Sequence, residues 1–330
     1  MIIKNNDSKY IINNKTGVWE IPMDNEFMNL LKEIPWFRYF ILPIEERWNG
    51  ISLFIWTNEN YYLAHIICIL YALFVYFGPK IMEKRKPMKL DKSLKYWNLF
   101  LAIFSLIGTS RLFPYIITNV VKYGFISSVC SPPIVPLTKG PASLWLSLFI
   151  YSKYFELIDT FFIVARKKPL SFLHWFHHLT VLLYTWDAYV SCQTIGTYFC
   201  AINYFVHSIM YFYYYLSSCG IKPKWGIIIT ILQITQMIIG TLLTIFGMYF
   251  SFKHPFSNVF PVEYVQQPLQ VGCHFIRTNG VFACLMYISY FALFFDFFIK
   301  RYLTKGVPIA QWISSGGNNS GKSKSVKKNQ

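Results

Sequence analysis

The sequence predicts an all-α membrane protein with seven transmembrane helices. Its 330 residues are 54% hydrophobic and only 14% charged, whereas a soluble protein carries roughly 25% charged residues. Apolar blocks recur along the chain, and in lipid each block must satisfy its own backbone hydrogen bonds, so each is predicted to be a helix. The seven blocks cover about 61–79, 97–119, 143–165, 171–190, 194–217, 225–251 and 279–299.

The composition divides the chain into three regions. Residues 1–60 are predicted to lie in the lumen or at the membrane interface, because 27–57 mixes aromatic side chains with charges and two prolines. Residues 61–300 form the seven-helix domain, and 301–330 form a basic tail that is predicted to be largely disordered. The first thirty residues lack the apolar run of a cleavable signal peptide, so an internal span is expected to direct insertion.

Basic residues are distributed unevenly between the loops. Nineteen Lys and Arg residues follow the first, third, fifth and seventh blocks, and four follow the second, fourth and sixth. Because cytosolic loops are rich in Lys and Arg, the N-terminus is predicted to be lumenal and the C-terminus cytosolic. This placement argues against nucleic-acid binding, despite a net charge of +16. Sequons at Asn6 and Asn14 fit a lumenal N-terminus, and Lys327 and Lys328 look like a retrieval signal of the endoplasmic reticulum.

Four of the predicted spans contain polar side chains, which are costly in lipid and usually face a protein-lined cavity. One group of these polar side chains lies about 9–15 Å from the cytosolic end of its helices, at a rise of 1.5 Å per residue. We therefore expect the side chains of this group to meet in one layer. The residues of this group are Asp159, Glu156, His177, His207 and Gln233, accompanied by His174, His178, Asn203, Tyr211 and Tyr214.

Three further polar residues are predicted to lie deeper. Lys153 and Gln236 come at about 18 Å and Arg111 at about 21 Å from the cytosolic end. These depths suit the floor or the support of a cavity. For Lys153 and Arg111, a charge network that locks helices together is an equally good interpretation.

The histidines at 174, 177 and 178 are compatible with two kinds of chemistry. Neutral imidazole is a common metal ligand, and membrane di-iron desaturases and hydroxylases carry the same triplet. Those enzymes use several such boxes, whereas His65, His254 and His274 fall toward the lumenal side here. We therefore predict no metal, and favour nucleophilic or general acid–base chemistry, with the di-iron enzyme as an alternative.

A seven-span receptor or transporter is a second alternative. Seven spans with a lumenal N-terminus fit a receptor, but a receptor's polar cluster would usually open to the outer face. A transporter would more often show repeat-related broken helices.

Four ordered motifs resemble those of the ELO fatty acid elongases, the very-long-chain 3-oxoacyl-CoA synthases. They are KYFELIDT at 153–160, FLHWFHH at 172–178, NYFVHSIMYFYY at 203–214 and TILQITQ at 230–236. FSLIGTSR at 104–111 resembles a further segment of the family. The resemblance covers about residues 60–300.

The resemblance implies that six of the seven helices form a barrel around a narrow acyl tunnel. It also implies a reaction at the endoplasmic reticulum membrane in which acyl-CoA and malonyl-CoA give 3-oxoacyl-CoA, CO2 and CoA, without a cofactor. The expected partners are the 3-oxoacyl-CoA reductase, the dehydratase and the enoyl-CoA reductase of the elongation cycle.

The resemblance and the chemistry of imidazole together suggest roles for the site residues. His177 is expected to attack the acyl thioester, with His174, His178 and His207 in the same catalytic set. Asn203, Gln233 and Gln236 are expected to stabilise the developing oxyanion. Direct condensation with a histidine as base is the simpler alternative.

Two finer expectations follow from the resemblance. Some family members bridge two lumenal loops, which implies a disulfide between Cys130 and Cys273 in a compartment that permits disulfides, with Cys192 as a competing partner. Trp175 within the histidine motif looks more like elongases of saturated and monounsaturated chains than of polyunsaturated ones.

Overall fold

A computed structural model describes residues 11–12, 19–20, 35–130, 139–255 and 273–303. Apart from a two-residue antiparallel pairing of Ile11–Ile12 with Trp19–Glu20, the elements described are helical. A 3₁₀ helix (Pro35–Phe40) precedes the α-helices, and a π-helical turn (Ile299–Leu303) follows them. The α-helices are α1 (Pro43–Glu46), α2 (Ile51–Glu59), α3 (Tyr62–Glu83), α4 (Asp91–Tyr123), α5 (Phe125–Cys130), α6 (Gly140–Ala165), α7 (Phe172–Val190), α8 (Gly196–Ser218), α9 (Gly226–Lys253) and α10 (Arg277–Phe298).

Each predicted apolar block coincides with one long helix, from α3 and α4 through α6 to α10. The helices extend past the apolar blocks at several ends. Helix α4 begins at Asp91 rather than at residue 97, and α3 continues through Pro79 to Glu83. The apolar run marks the stretch suited to lipid, whereas backbone hydrogen bonding decides where a helix stops, so polar residues can prolong it.

Four of the described helices are long and apolar enough to cross a membrane, judged by length and composition. They are Tyr62–Glu83, Asp91–Val121, Gly226–Lys253 and Arg277–Leu303. The other long helices, α6, α7 and α8, carry the histidine motif and most of the polar residues predicted to form the site. The chain therefore has the character of a membrane protein.

In two pairs of helices, a glycine of one helix lies directly against a tyrosine ring of the other. A Cβ at Gly108 of α4 would lie 2.5 Å from the ring of Tyr204 of α8, and a Cβ at Gly240 of α9 would lie 2.7 Å from that of Tyr287 of α10. Both distances are shorter than van der Waals contact allows, so only glycine lets these helices approach so closely. Tyr204 is almost fully buried and donates a hydrogen bond to the carbonyl of Trp145 on α6 at 2.9 Å.

The segment before α3 packs against the helical bundle. Among residues 35–57 the chain forms three short helices rather than one. Ile41 lies in an apolar core with residues of α4, α6, α7 and α8. Glu45 is only 1% exposed and accepts hydrogen bonds from Arg111 and Trp145. Two prolines and a glycine interrupt the segment and keep it from forming one continuous helix.

The predicted disulfide between Cys130 and Cys273 is confirmed. It joins the end of α5 to the segment before α10, where the N–H of His274 also donates to the carbonyl of Cys130 at 3.0 Å. Cys192, the competing partner, is free. Burial raises the pKa of Cys192 to about 12, so its thiol stays protonated at neutral pH. The sequons at Asn6 and Asn14 and the residues Lys327 and Lys328 lie outside the described residues.

Candidate active site

Lys153 of α6 anchors a buried polar group that reaches α8. Its Nζ donates to Glu156 Oε1 at 2.7 Å and to Asn203 Oδ1 at 3.2 Å, and it lies 4.1 Å from the ring centroid of Phe149. Ser152 donates to the same Glu156 oxygen at 3.0 Å. Lys153 is 2% and Glu156 3% exposed. Because Lys153 holds the oxygen of the Asn203 amide, the NH2 of that amide is directed elsewhere.

Asp159, one turn further along α6, links three helices. Its Oδ1 accepts from Trp97 Nε1 of α4 at 2.6 Å, and its Oδ2 accepts from the Tyr211 hydroxyl of α8 at 2.7 Å. The ring of His207 lies 5.4 Å from that of Tyr211, centroid to centroid. Asp159 thus positions the part of α8 that carries His207. The sequence pattern offered no reason to select Trp97, because an aromatic residue in an apolar block is common.

The histidines of α7 form a contiguous group in its first turns. The Ser171 hydroxyl accepts from the backbone N–H of His174 at 3.3 Å and caps the helix. His174 Nε2 lies 3.0 Å from the hydroxyl of Thr160 on α6. The ring of His178 lies 4.5 Å from that of His174 and 5.5 Å from that of His177, centroid to centroid. The helical spacing therefore produces the predicted face, and α6 fixes its orientation through Thr160.

Tyr290 of α10 packs against His177, a contact that the sequence pattern did not predict. The two ring centroids are 4.9 Å apart, and the Tyr290 hydroxyl donates to the carbonyl of His177 at 3.1 Å. It also contacts the hydroxyl of Thr180. Tyr287 and Tyr290 are three residues apart in the last apolar block, and this spacing on one helical face is the signal that could have identified them.

A cavity lined by α6, α7, α8, α9 and α10 includes His177 in its wall. His177, Asn203 and Gln236 contribute polar groups to the cavity wall. Gln193, in the turn between α7 and α8, and Thr197, in the first turn of α8, also line the cavity. The other lining side chains are mainly apolar or aromatic. A long apolar cavity with the His177 imidazole and the Asn203 and Gln236 amides in its wall suits an alkyl chain that carries a reactive carbonyl group.

The structure does not bring every predicted site residue to this cavity. His207 is buried but is not among the residues that line it, and Gln233 Nε2 lies 3.4 Å from the sulfur of Met210. Tyr214 is 44% exposed and packs on Tyr211 and Tyr213.

Arg111 lies in a separate buried ion pair, with Arg111 Nη2 3.1 Å from Glu45 Oε2. Arg111 thus bonds to Glu45, to Ser110 and to the carbonyl of Phe40, not to the predicted site residues of α6 to α9. Arg111 therefore locks helices together, which is one of the two interpretations that its sequence position allowed.

Within the described ranges, no three or more His, Cys, Asp or Glu side chains are grouped as metal ligands would be. The rings at 174, 177 and 178 are instead held by one another, by Thr160 and by Tyr290.

Comparison with known proteins identifies the family. Residues 56–308 match the ELO family, described as GNS1/SUR4. The chain is 37% identical over 265 residues to very long chain fatty acid elongase 6 of Gallus gallus, which covers 79% of this chain and 92% of that protein. It is 38% identical over 253 residues to the Drosophila melanogaster protein of the same name, covering 76% and 75%, and 36% identical over 264 residues to the Homo sapiens protein, covering 79% and 92%. The chain therefore belongs to the ELO family of fatty acid elongases.

Proposed function

We propose that this chain is the condensing enzyme of a fatty acid elongation cycle and that His177 carries the acyl group. The observation that carries the proposal is the placement of His177, Asn203 and Gln236 in the wall of one apolar cavity. The cavity can enclose the alkyl chain of the substrate, while the imidazole and the two amides contact the thioester group of that substrate. The enzyme is a 3-oxoacyl-CoA synthase and uses acyl-CoA and malonyl-CoA without a cofactor.

The reaction proceeds in two stages. A nitrogen of the neutral His177 ring attacks the acyl-CoA carbonyl, an acyl–imidazole bond forms, and the C–S bond breaks. The N–H proton of the ring passes to the departing thiolate, which leaves as CoA. Malonyl-CoA then loses CO2, and the resulting carbanion attacks the acyl carbon. The bond to His177 breaks, the ring takes one proton from water, and 3-oxoacyl-CoA is released.

Lys153 is a positioning residue in this mechanism. Because its ammonium group binds Asn203 Oδ1, the NH2 of Asn203 can donate to the oxyanion that forms on the acyl carbon. Gln236 lies in the wall of the same cavity and supplies a second donor. His178 and His174 support the orientation of His177, and Asp159 holds the helix that bears His207.

A mass measurement tests the covalent intermediate. Full-length enzyme incubated with acyl-CoA alone should gain one acyl group on a peptide that contains His177, and His177→Ala should lose both the adduct and the 3-oxoacyl product. His65→Ala, at an exposed histidine of α3, is the matched control and should retain both. If the wild-type enzyme is active but forms no histidine adduct, the covalent route is wrong and the reaction is a direct condensation.

The membrane arrangement belongs to the same proposal. All seven long helices cross the endoplasmic reticulum membrane, and six of them enclose the cavity as a barrel. The N-terminus is lumenal and the C-terminus cytosolic, with the functional domain at 61–300 between the regions 1–60 and 301–330. Glycosidase treatment tests the orientation, because glycans at Asn6 and Asn14 would place the N-terminus in the lumen. An unglycosylated chain whose N-terminus is cut by cytosolic protease would overturn it.

The product needs further chemistry before another round of elongation. Its 3-oxo group must be reduced, dehydrated and reduced again, so the chain is expected to work with a 3-oxoacyl-CoA reductase, a dehydratase and an enoyl-CoA reductase. The relatives named elongase 6 and Trp175 within the histidine motif support saturated and monounsaturated acyl chains as substrates.

A further inference from the structure

The turn between α7 and α8 contributes Gln193 to the cavity wall, about 20 Å along α7 from His177. Gln193 in this turn is 2% exposed. Its Nε2 donates to Asn279 Oδ1 at 2.9 Å and to the carbonyl of Ile276 at 3.1 Å. Its Oε1 accepts from the backbone N–H groups of Thr194 and Ile276 at 3.0 and 3.3 Å. Every donor and acceptor of the amide group is therefore occupied.

The Asn279 partner of Gln193, on α10, is itself hydrogen-bonded to α7. Asn279 is 1% exposed, and its Nδ2 donates to Asp187 Oδ2 at 2.7 Å. Moving Gln193 would leave buried polar groups without partners, which is costly. The turn is therefore a fixed floor, and the end of an alkyl chain cannot push it aside.

Gly196, the first residue of α8, lines the cavity beside this floor. A Cβ built on Gly196 would meet no atom within 4 Å, in contrast to the tight contacts at Gly108 and Gly240. Gly196 is not among the residues with positive φ, so its backbone accepts other side chains. Helix packing and backbone conformation therefore do not require glycine here. The absence of a side chain at position 196 leaves space open beside the cavity wall.

We propose that Gly196 determines the longest acyl chain that the cavity accepts, with Gln193 as the fixed floor. This inference rests on the proposed function. Gly196 and Asn203 are seven positions apart on α8, a distance of about 10 Å along the helix. A side chain at 196 would therefore occupy the space of the terminal methylenes, remote from the reacting carbonyl. Each methylene that loses its buried site lowers the affinity about fourfold.

The length profile of the reaction tests this assignment. Full-length wild-type, Gly196→Ala and Gly196→Leu enzymes in membranes would receive saturated acyl-CoAs of increasing even length with labelled malonyl-CoA. The kcat/KM for the longest wild-type substrate should fall at least about tenfold in Gly196→Leu, because two or more methylenes are displaced. Gly196→Ala should show a smaller fall. The shortest substrates should be elongated at the wild-type rate by both variants.

Ser217, an exposed residue near the end of α8, does not line the cavity and supplies a matched control. Ser217→Leu places the same side chain elsewhere on α8 and should keep the wild-type length limit. An unchanged limit in Gly196→Leu would overturn the inference, and so would an equal loss at every chain length. A wild-type enzyme that forms no 3-oxoacyl product from any acyl-CoA would instead defeat the proposed function.

Discussion

The orientation of one amide group connects the buried charges to the proposed chemistry. An amide group can turn either its oxygen or its NH2 toward a reacting carbonyl, and only the NH2 can donate to an oxyanion. Lys153 settles the choice at Asn203, because its ammonium group has only donors and therefore binds the amide oxygen at 3.2 Å. Glu156 neutralises that ammonium group at 2.7 Å.

Removing this charge pair should slow the reaction, because the Asn203 amide then loses the contact that orients it. In the double variant Lys153→Met with Glu156→Gln, no unpaired buried charge remains, so we expect the protein to fold. We expect kcat to fall by at least about tenfold with little change in KM, because the lost interaction acts on the transition state. Steady-state kinetics with saturating malonyl-CoA measures both parameters.

A mutant cycle separates this positioning role from a general structural one. Asn203→Ala alone should lower kcat by a similar factor, and combining it with the double variant should add little, since both changes act through one amide. Fully additive losses would show that Lys153 acts independently of Asn203.

At the scale of elements, the short helix α1 is tied to the bundle by buried charge. Arg111 of α4 and Trp145 of α6 both donate to the carboxylate of Glu45, which is 1% exposed. Removing one partner of a buried ion pair leaves an uncompensated charge, whereas replacing both partners by apolar residues is often nearly neutral.

The variants of this pair should therefore differ in stability in a particular order. Glu45→Leu alone should destabilise the protein by about 3–5 kcal/mol, because the Arg111 charge then remains buried and unpaired. Glu45→Leu with Arg111→Met should recover most of that loss. Thermal melting of the detergent-solubilised protein measures both. A double variant less stable than the single one would contradict this account.

At the scale of the whole molecule, the disulfide between Cys130 and Cys273 closes a long loop of the chain. The two residues are 143 positions apart, and their bond connects the end of α5 to the segment before α10. Between them lie α6 to α9, which supply most of the cavity wall. The bond therefore restricts the unfolded chain across most of the functional site.

Losing this disulfide should lower the melting temperature. Cys273→Ser is expected to cost about 2–5 kcal/mol, and Cys130→Ser should cost a similar amount. The double variant should be no less stable than either single one, because only one bond is lost. Cys192→Ser is the control and should change the melting temperature little. A melting temperature insensitive to both cysteine changes would show that the bond does not contribute to stability.

The sequence predicts the local features of this protein better than its long-range contacts. The seven long helices and the shared face of His174, His177 and His178 were predicted correctly, because both depend on local periodicity. The fixing of Asp159 by Trp97, the packing of Tyr290 on His177 and the pairing of Arg111 with Glu45 were not predicted. Each of these joins segments far apart in the chain, and the sequence pattern carries no signal for the partner.

The sequence by itself determined that this chain forms long apolar helices with polar groups in their interior. The physical reason is that an apolar run in lipid must satisfy its hydrogen bonds within one helix, while ionisable groups there require a protein-lined space. Only the tertiary structure decided which of those groups share a cavity. Helix rotation and spacing depend on side chains that meet across the bundle, such as Gly108 with Tyr204, and these contacts turned Asn203 and Gln236 toward the cavity while Gln233 and Arg111 took other partners.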